Sequence, residues 1–257
     1  MIGPVGSGKS TLLKLASGLY RAKDGRVFLG GLDMSMVKPE RLRQLIAYVP
    51  QEIRLLRGTL RENLTRGLED PGDEVLLGAA RETGLIDLIN GHPQGLALPI
   101  SEGGRGISGG QKQLIGLTRL LLVKPVLMLL DEPTASMDAA TEAKIVALLG
   151  KMAADGVTLV VSTHKTALLP LVNRLLVFGN NKLLLDGPRE PVLAKLSGKS
   201  APAAAGSKAT PAAAGKTAPV AAIPKNRVVA GRNEGKPGPG NEGPNNGEQS
   251  NGGKQDE

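Results

Sequence analysis

Glycines, a lysine and a hydroxyl near the start of the chain have the spacing of a phosphate-binding loop. The segment from Gly3 to Ser10 reads GPVGSGKS and fits the pattern G-x-x-x-x-G-K-[ST], the P-loop. Its glycines let the backbone turn tightly, so that N–H groups face an anion, and the following helix adds its positive N-terminal end. Lys9 can reach the β- and γ-phosphates of a nucleotide, and the Ser10 hydroxyl can bind Mg²⁺.

Two adjacent acids lie further along the chain. Asp131 and Glu132 follow the apolar run 126–130, which is typical of a parallel strand buried on both faces. Ligands of α/β sheets bind at the carboxyl ends of such strands. Asp131 is therefore placed to hold Mg²⁺, and Glu132 to polarise an attacking water as a general base. Paired acids are also common in ordinary loops, and it is the P-loop that favours the catalytic interpretation.

The elements that must position these residues alternate between helix and strand, which predicts an α/β fold with a mostly parallel sheet flanked by helices. Periodicity predicts helices over about 9–16, 41–45, 73–83, 85–90, 110–122, 139–153 and 188–196, and strands over 26–29, 46–49, 126–130, 157–162, 175–178 and 182–185. Thr59 and Glu62 have the spacing of a capping box. Between about 60 and 122 every pattern is helical, which predicts an inserted helical subdomain.

Composition excludes several kinds of site. The chain has no cysteine, which excludes disulfides and thiolate metal sites, and its two histidines, His92 and His164, are too few for a histidine metal cluster. Aromatic residues make up 2% of the chain, and the net charge of +8 is not gathered into a basic run. We therefore expect no nucleic acid as partner. No apolar run reaches the roughly 18 residues that span a bilayer, so we expect no membrane span in this sequence.

The composition changes near Gly198. Residues 198–257 are rich in glycine, alanine and proline and contain few large aliphatic side chains. Such a segment cannot bury enough apolar surface to offset the entropy of ordering. We expect a folded domain over 1–197 and a disordered tail over 198–257, for which a solvated segment without a function of its own is the simpler interpretation.

Four further motifs follow the P-loop in a familiar order. They are Tyr48–Gln51 (YVPQ), Ile107–Gln111 (ISGGQ), Ala135–Asp138 (ASMD) and Ser162–His164 (STH). With the P-loop and the paired acids they resemble the Q-loop, signature, D-loop and switch histidine of the ATP-binding cassette (ABC) proteins. Isoleucine and methionine stand at 107 and 137, where leucine is commoner in that family. The resemblance covers residues 1 to about 197.

This resemblance implies ATP and Mg²⁺ as cofactors and gives each motif a role. Glu132 would be the catalytic base, Gln51 would touch Mg²⁺ or the attacking water, and His164 would contact the γ-phosphate. The nucleotide would be bound by Gly3, Gly6, Ser7, Gly8, Lys9, Ser10, Thr11, Ser108, Gly109, Gly110 and Asp138, and the metal by Ser10, Gln51 and Asp131. The signature residues would serve an ATP on the opposite subunit of a head-to-tail cassette dimer, with Asp138 coupling the two sites. His92 has no such context, and we expect it to be structural.

Within the family, the segments 57–63 and 108–119 look most like bacterial exporters, and type I secretion ATPases are the nearest group. Glu102 resembles a residue of the exporter segment that touches the membrane domain. The implied function is ATP hydrolysis that powers export, with a transmembrane domain as partner, at the cytoplasmic face of the plasma membrane. Neither the transported substrate nor the direction of transport is fixed by these motifs.

Family cassettes carry a further segment before the P-loop. We therefore expect the P-loop strand and an N-terminal antiparallel sheet to be largely missing, in a truncated product, a misassigned start or a C-terminal fragment. The alternative function is then a non-catalytic cassette fragment that binds nucleotide weakly or associates with other cassettes. Soluble ABC ATPases of DNA repair, chromosome structure or translation fit less well, because this chain has neither long heptad insertions nor a second cassette.

Overall fold

The computed structural model describes residues 1–198. Its α-helices are α1 (Lys9–Ala16), α2 (Pro39–Leu45), α3 (Leu60–Thr65), α4 (Asp73–Thr83), α5 (Ile86–Asn90), α6 (Gly109–Val123), α7 (Ala139–Ala154) and α8 (Arg189–Leu196). Its strands are β1 (Phe28–Leu29), β2 (Leu32–Asp33), β3 (Ile46–Val49), β4 (Gly58–Thr59), β5 (Pro99–Ile100), β6 (Leu127–Asp131), β7 (Thr158–Ser162), β8 (Arg174–Gly179) and β9 (Lys182–Pro188). The predicted α/β fold is confirmed.

The central sheet is parallel. Its strands run in the order β3-β6-β7, and Leu129 in the middle strand pairs with Tyr48 on one side and Val160 on the other. Beyond β7 the backbone of residues 1 and 2 continues the pattern: Thr163 N donates to Met1 O at 3.1 Å, and Ile2 N donates to Leu176 O at 2.9 Å. The P-loop therefore begins between β7 and the antiparallel pair β8-β9.

Strand β6 is buried on both faces, as its apolar run predicts. Met128 and Leu130 point into one core cluster, which also holds Ile115 of α6 and Ile145 of α7. Leu129 points the other way, into a second cluster that contains Leu13 of α1 and Ile46 of β3. Side chains of successive strand residues face opposite sides, so this alternation shows helices packed against both faces of the sheet.

The region between β3 and β6 is mainly helical. Helices α3, α4 and α6 pack on one another through fully buried leucines, among them Leu60, Leu64 and Leu76. The capping box at α3 is confirmed, since Thr59 and Glu62 exchange both hydrogen bonds. The expectation of an entirely helical stretch is wrong, because β5 lies within it. Strand β5 pairs with β4, which comes just before α3.

Most predicted boundaries agree with the structure within one or two residues. The strand predicted over 26–29 shrinks to Phe28–Leu29, and its partner Leu32–Asp33 was not predicted, because a two-residue strand has no periodicity to detect. In residues 1–198 we find no helix whose length and apolar content would let it cross a bilayer. The predicted tail and its boundary lie outside the described residues and remain predictions.

Candidate functional site

The predicted catalytic segments meet at one edge of the sheet. Asp131 is the last residue of β6 and Glu132 comes directly after it. Gln51 follows β3 and His164 follows β7, so all four residues lie at the carboxyl ends of strands. The three strands are adjacent and parallel, and the P-loop begins beside β7. This edge is where α/β sheets bind ligands. Four motifs that lie far apart in the chain are thus brought together.

The P-loop is shaped by close backbone packing. Gly3 has φ +150°, and a Cβ there would lie 2.3 Å from the carbonyl oxygen of Phe178, so only glycine fits. Gly8, with φ +94°, precedes the first residue of α1. The N–H groups at the start of a helix, on a glycine-rich turn, are suited to bind an anion.

The Lys9 ammonium lies inside its own loop. It donates to the carbonyl oxygens of Gly3 and Pro4, each at 2.9 Å, and contacts the Ser7 hydroxyl at 3.4 Å. Ser7 is buried, whereas Ser10 is half-buried and Thr11 and Gly6 are exposed. The cation is therefore held within the loop by neutral oxygens, and phosphate oxygens would be stronger partners for it.

Glu132 adopts an unusual backbone conformation beside the P-loop. Its φ is +49°, in the left-handed region that non-glycine residues rarely occupy. Its N–H donates to Ser162 O at 2.8 Å, which fixes the residue to the end of β7. In the part of the chain that the structure describes, Glu132 Oε2 is one of two buried side-chain polar atoms without a partner. A buried carboxylate oxygen without a donor is suited to accept a proton from a water molecule.

His164 contacts the other carboxylate oxygen. Its Nδ1 lies 2.9 Å from Glu132 Oε1, a distance at which a protonated Nδ1 donates to the carboxylate. The His164 side chain is 71% exposed, whereas that of Glu132 is 11% exposed. The imidazole thus lies at the surface over a buried acid, with its second nitrogen available to a ligand.

A second group of side chains holds the loops that carry these two residues. Lys165 Nζ donates to Thr134 O at 2.7 Å and lies 3.1 Å from Glu142 Oε1. The same Glu142 oxygen accepts from the Thr134 hydroxyl at 2.7 Å. The Thr134 hydroxyl, and then Lys165, lower the pKa of the Glu142 carboxyl. The loop after Glu132 is thereby tied to the loop of His164 and to α7.

The candidate metal ligands are Ser10, Gln51 and Asp131, and each would bind a metal through an oxygen atom. Asp131 is buried at 3% exposure, and its negative charge adds to burial in raising the pKa of Tyr48 to about 12. Ser10 is the second residue of α1, and Gln51 is exposed after β3. Within residues 1–198 no group of three or more His, Asp or Glu side chains lies close enough to hold a metal.

The signature and D-loop residues form a separate surface. Ser108 caps α6 in a capping box, accepting from Gln111 N at 3.2 Å. Ser108 and Gly109 are exposed, and Gly110 is half-buried. Asp138 caps α7 through Thr141, whose N–H and hydroxyl lower the pKa of this carboxyl. Both segments line a cavity of about 230 Å³.

His92, which has no functional motif around it, lies in a turn. Its Nδ1 accepts from Gln94 N at 3.2 Å, consistent with a structural role.

Sequence reasoning missed Gln113, Glu142 and Lys165. Gln113 is a polar residue within the apolar face of α6, and this was the one available signal. Glu142 and Lys165 resemble ordinary surface charges, and only the fold shows that they meet.

Comparison with known proteins identifies the fold. The family model described as "ABC transporter" matches residues 1–135. The chain is 32% identical to the type I secretion system ATP-binding protein PrsD of Rhizobium meliloti over 196 residues, 76% of this chain and 34% of that protein. It is 33% identical to the glutathione/L-cysteine transport system ATP-binding/permease protein CydC of Haemophilus influenzae, over 77% of this chain and 34% of that protein.

A solved structure agrees. The structure of a bacterial Atm1-family ABC exporter with ATP bound matches with a TM-score of 0.71 and 28% identity, over 76% of this chain and 34% of that chain. The chain spans about a third or less of the curated relatives it matches, from 34% of PrsD to 15% of the ABC-type transporter kk1G of Curvularia clavata. The family model covers more than half of the chain and the fold agrees with the solved exporter, so the chain belongs to the ABC transporter family.

Proposed function

We propose that this chain binds and hydrolyses ATP and that the hydrolysis drives export across a membrane, with the chain as the ATP-binding part of an ABC exporter. The observation that carries the proposal is the contact between Glu132 and His164 at the sheet edge where the P-loop begins. A buried acid with one free oxygen, an imidazole and a phosphate-binding loop are the parts that water attack on a phosphate needs.

The residues divide the reaction between them. Backbone N–H groups of the P-loop, its glycines and Lys9 bind the phosphates, and Lys9 exchanges its carbonyl partners for phosphate oxygens. Glu132 Oε2 accepts the proton of the attacking water. His164 orients the carboxylate through Oε1 and offers its second nitrogen to the γ-phosphate.

The proposed metal site lies at the same carboxyl edge of the sheet. The Ser10 hydroxyl, the Asp131 carboxylate and the Gln51 amide oxygen would hold Mg²⁺ together with phosphate oxygens. The oxygen-only donor set fits this hard cation. Mg²⁺ would neutralise charge that develops on the phosphates.

We also propose that two copies pair head to tail, with Ser108, Gly109 and Gly110 contacting the γ-phosphate bound by the other copy and Asp138 coupling the two sites. The proposal is supported by the exposure of Ser108 and Gly109 at a helix start, where their polar groups are accessible. A hydroxyl and helix amides facing outward suit an anion presented by a partner.

The membrane domain of the exporter would be the other partner, and the chain would work at the cytoplasmic face of the membrane. Support comes from relatives described as ATP-binding/permease and type I secretion proteins. We propose that Glu102 takes part in this contact. Its support is that it is exposed and accepts from Arg57 N at 3.2 Å, joining two segments that resemble those of exporters.

Phosphate release from Mg-ATP by the full chain tests the proposal. We expect turnover in the wild type and, in Lys9→Ala, a loss of ATP binding and of turnover by at least tenfold, because a direct ionic contact to phosphate is removed. Lys151→Ala, an exposed lysine on α7, is the matched control and should behave as wild type. Weak binding without any turnover in the wild type would instead support the alternative of a non-catalytic cassette.

A further inference from the structure

We propose that Gln113 is a positioning residue, which locks the loop carrying Glu132 onto the helix that begins with the signature segment. Through it, the residues predicted to contact the partner's ATP and the base that acts on this chain's own ATP move as one unit. The inference rests on the proposed function and adds a residue to which the motifs gave no role.

The contacts of Gln113 are unusual for a residue in the middle of a helix. Its side chain is buried, with 2% of the residue exposed. Its Nε2 donates to the backbone carbonyl of Glu132 at 3.1 Å, and its Oε1 accepts from the backbone N–H of Ser136 at 3.1 Å. One amide thus satisfies two backbone groups of the same loop, a pairing that needs a donor and an acceptor side by side.

The same loop also packs against the first turn of α6. A Cβ on Gly110 would lie 2.9 Å from the carbonyl oxygen of Ser136, and a Cβ on Gly109 would lie 3.2 Å from the Ser136 side chain. At Gly110 the helix start therefore lies directly against the loop backbone, and at Gly109 it lies against the Ser136 side chain. A shift of α6 along its axis has to move this loop, because contact and hydrogen bonds act on the same short segment.

Glu132 needs such support. Its left-handed backbone conformation, φ +49°, is one that a non-glycine residue keeps only when its surroundings fix it. The amide of Glu132 is held by Ser162 O and its carbonyl by Gln113, so the peptide groups on both sides of the residue are anchored. The carbonyl also accepts from Ala135 N at 3.1 Å, but that donor belongs to the same loop. Gln113 is therefore the contact that ties the carbonyl to α6 and fixes the direction of Glu132 Oε2.

The test compares Gln113→Leu, Gln113→Glu and Thr118→Val in the full chain. Leucine keeps the approximate volume and loses both hydrogen bonds. Glutamate keeps an acceptor for Ser136 N but, when ionised, loses the donor for Glu132 O. Thr118→Val is the matched control, because Thr118 is buried on the same helix and loses its hydrogen bonds to Thr83 and Leu114 O without touching the loop.

We expect kcat for Mg-ATP to fall by at least about tenfold in Gln113→Leu and Gln113→Glu, while KM stays within about threefold, because binding by the P-loop is untouched and only the direction of the base changes. Thr118→Val should keep both kcat and KM near the wild-type values, even if its melting temperature falls as far as that of Gln113→Leu. Equal loss of kcat in Thr118→Val, or a kcat near wild type in Gln113→Leu, overturns the proposal.

Amide hydrogen exchange at Ser136, without nucleotide, separates this proposal from the proposed function. The amide should exchange at least about tenfold faster in Gln113→Leu than in the wild type, and unchanged exchange refutes the link. In Gln113→Glu and Thr118→Val it should stay slow. Wild-type chain that releases no phosphate would contradict the proposed function, and the exchange rates would still decide whether Gln113 holds the loop.

Discussion

His164 Nδ1 lies 2.9 Å from Glu132 Oε1, although the two residues belong to loops after different strands. The strands β6 and β7 place them, since Asp131 pairs with Ser162 and each functional residue follows shortly after that pair. A buried carboxylate is thereby held by a surface imidazole on one oxygen and left free on the other. The candidate site combines this pair with the P-loop, Asp131 and Gln51.

Replacement of His164 by alanine removes the group that orients the base. We expect kcat for Mg-ATP to fall on the order of 100-fold, within the range of a positioned acid–base group. His92→Ala is the matched control and should leave kcat unchanged, since His92 lies in a turn and accepts only a backbone N–H. Steady-state phosphate release measures both. Equal kcat values for His164→Ala and His92→Ala would remove His164 from the site.

The Thr134–Glu142–Lys165 group should make stability depend on pH. The Thr134 hydroxyl and Lys165 hold the pKa of Glu142 below its ordinary value of 4.5. A carboxyl with a lowered folded-state pKa stabilises the fold above its unfolded pKa, and this stabilisation is lost as pH falls through the folded value.

The wild type should therefore exceed Glu142→Gln in unfolding free energy at neutral pH, and the difference should shrink as pH falls below 4.5. Urea unfolding at a series of pH values measures it, with exposed Glu190→Gln on α8 as control. A difference that stays constant with pH would show that Glu142 does not stabilise the fold through its charge.

The middle strand should dominate stability. Leu129 of β6 is 1% exposed and packs against α1 and β3, so Leu129→Ala removes buried methyl groups and leaves a cavity. We expect a loss of roughly 2–5 kcal/mol in unfolding free energy. Leu184→Ala, at a residue that is 58% exposed, should cost far less. Denaturant unfolding with circular dichroism compares them, and similar losses would contradict the two-sided burial of β6.

The head-to-tail pairing predicts an ATP-dependent change in size. In a Glu132→Gln background, Mg-ATP should convert the full chain to a dimer, because ATP is bound and not consumed. Adding Ser108→Arg should block the dimer and leave ATP binding unchanged. Ser197→Arg, at an exposed residue after α8, should leave both the dimer and ATP binding unchanged. Light scattering after size-exclusion chromatography distinguishes them. A dimer that survives Ser108→Arg would place the pairing surface elsewhere.

The sequence predicted those parts of the fold and site that depend on local pattern. Neighbouring residues alone determine the apolar run of β6, the capping box at Thr59 and the bounds of α1. The structure confirms all three. The motifs predicted a site that includes Glu132 and His164, and the structure brings these two side chains into contact.

Long-range pairing was harder to predict. Strands β4 and β5 have two residues each, and they join the segment just before α3 to a segment between α5 and α6. The two hydrogen bonds of Gln113 and the contacts of Glu142 with Lys165 link side chains to groups that only the folded chain brings near. Such contacts carry no periodicity, so sequence patterns do not report them.

Glu132→Gln tests the central claim most directly. Rapid measurement of phosphate release and of ATP binding on the full chain would compare this variant with the wild type. We predict a fall in turnover of about 10²- to 10⁴-fold, with an ATP dissociation constant within about threefold of wild type, because the amide cannot accept the water's proton yet fills the same space. Turnover by Glu132→Gln at the wild-type rate would contradict the account.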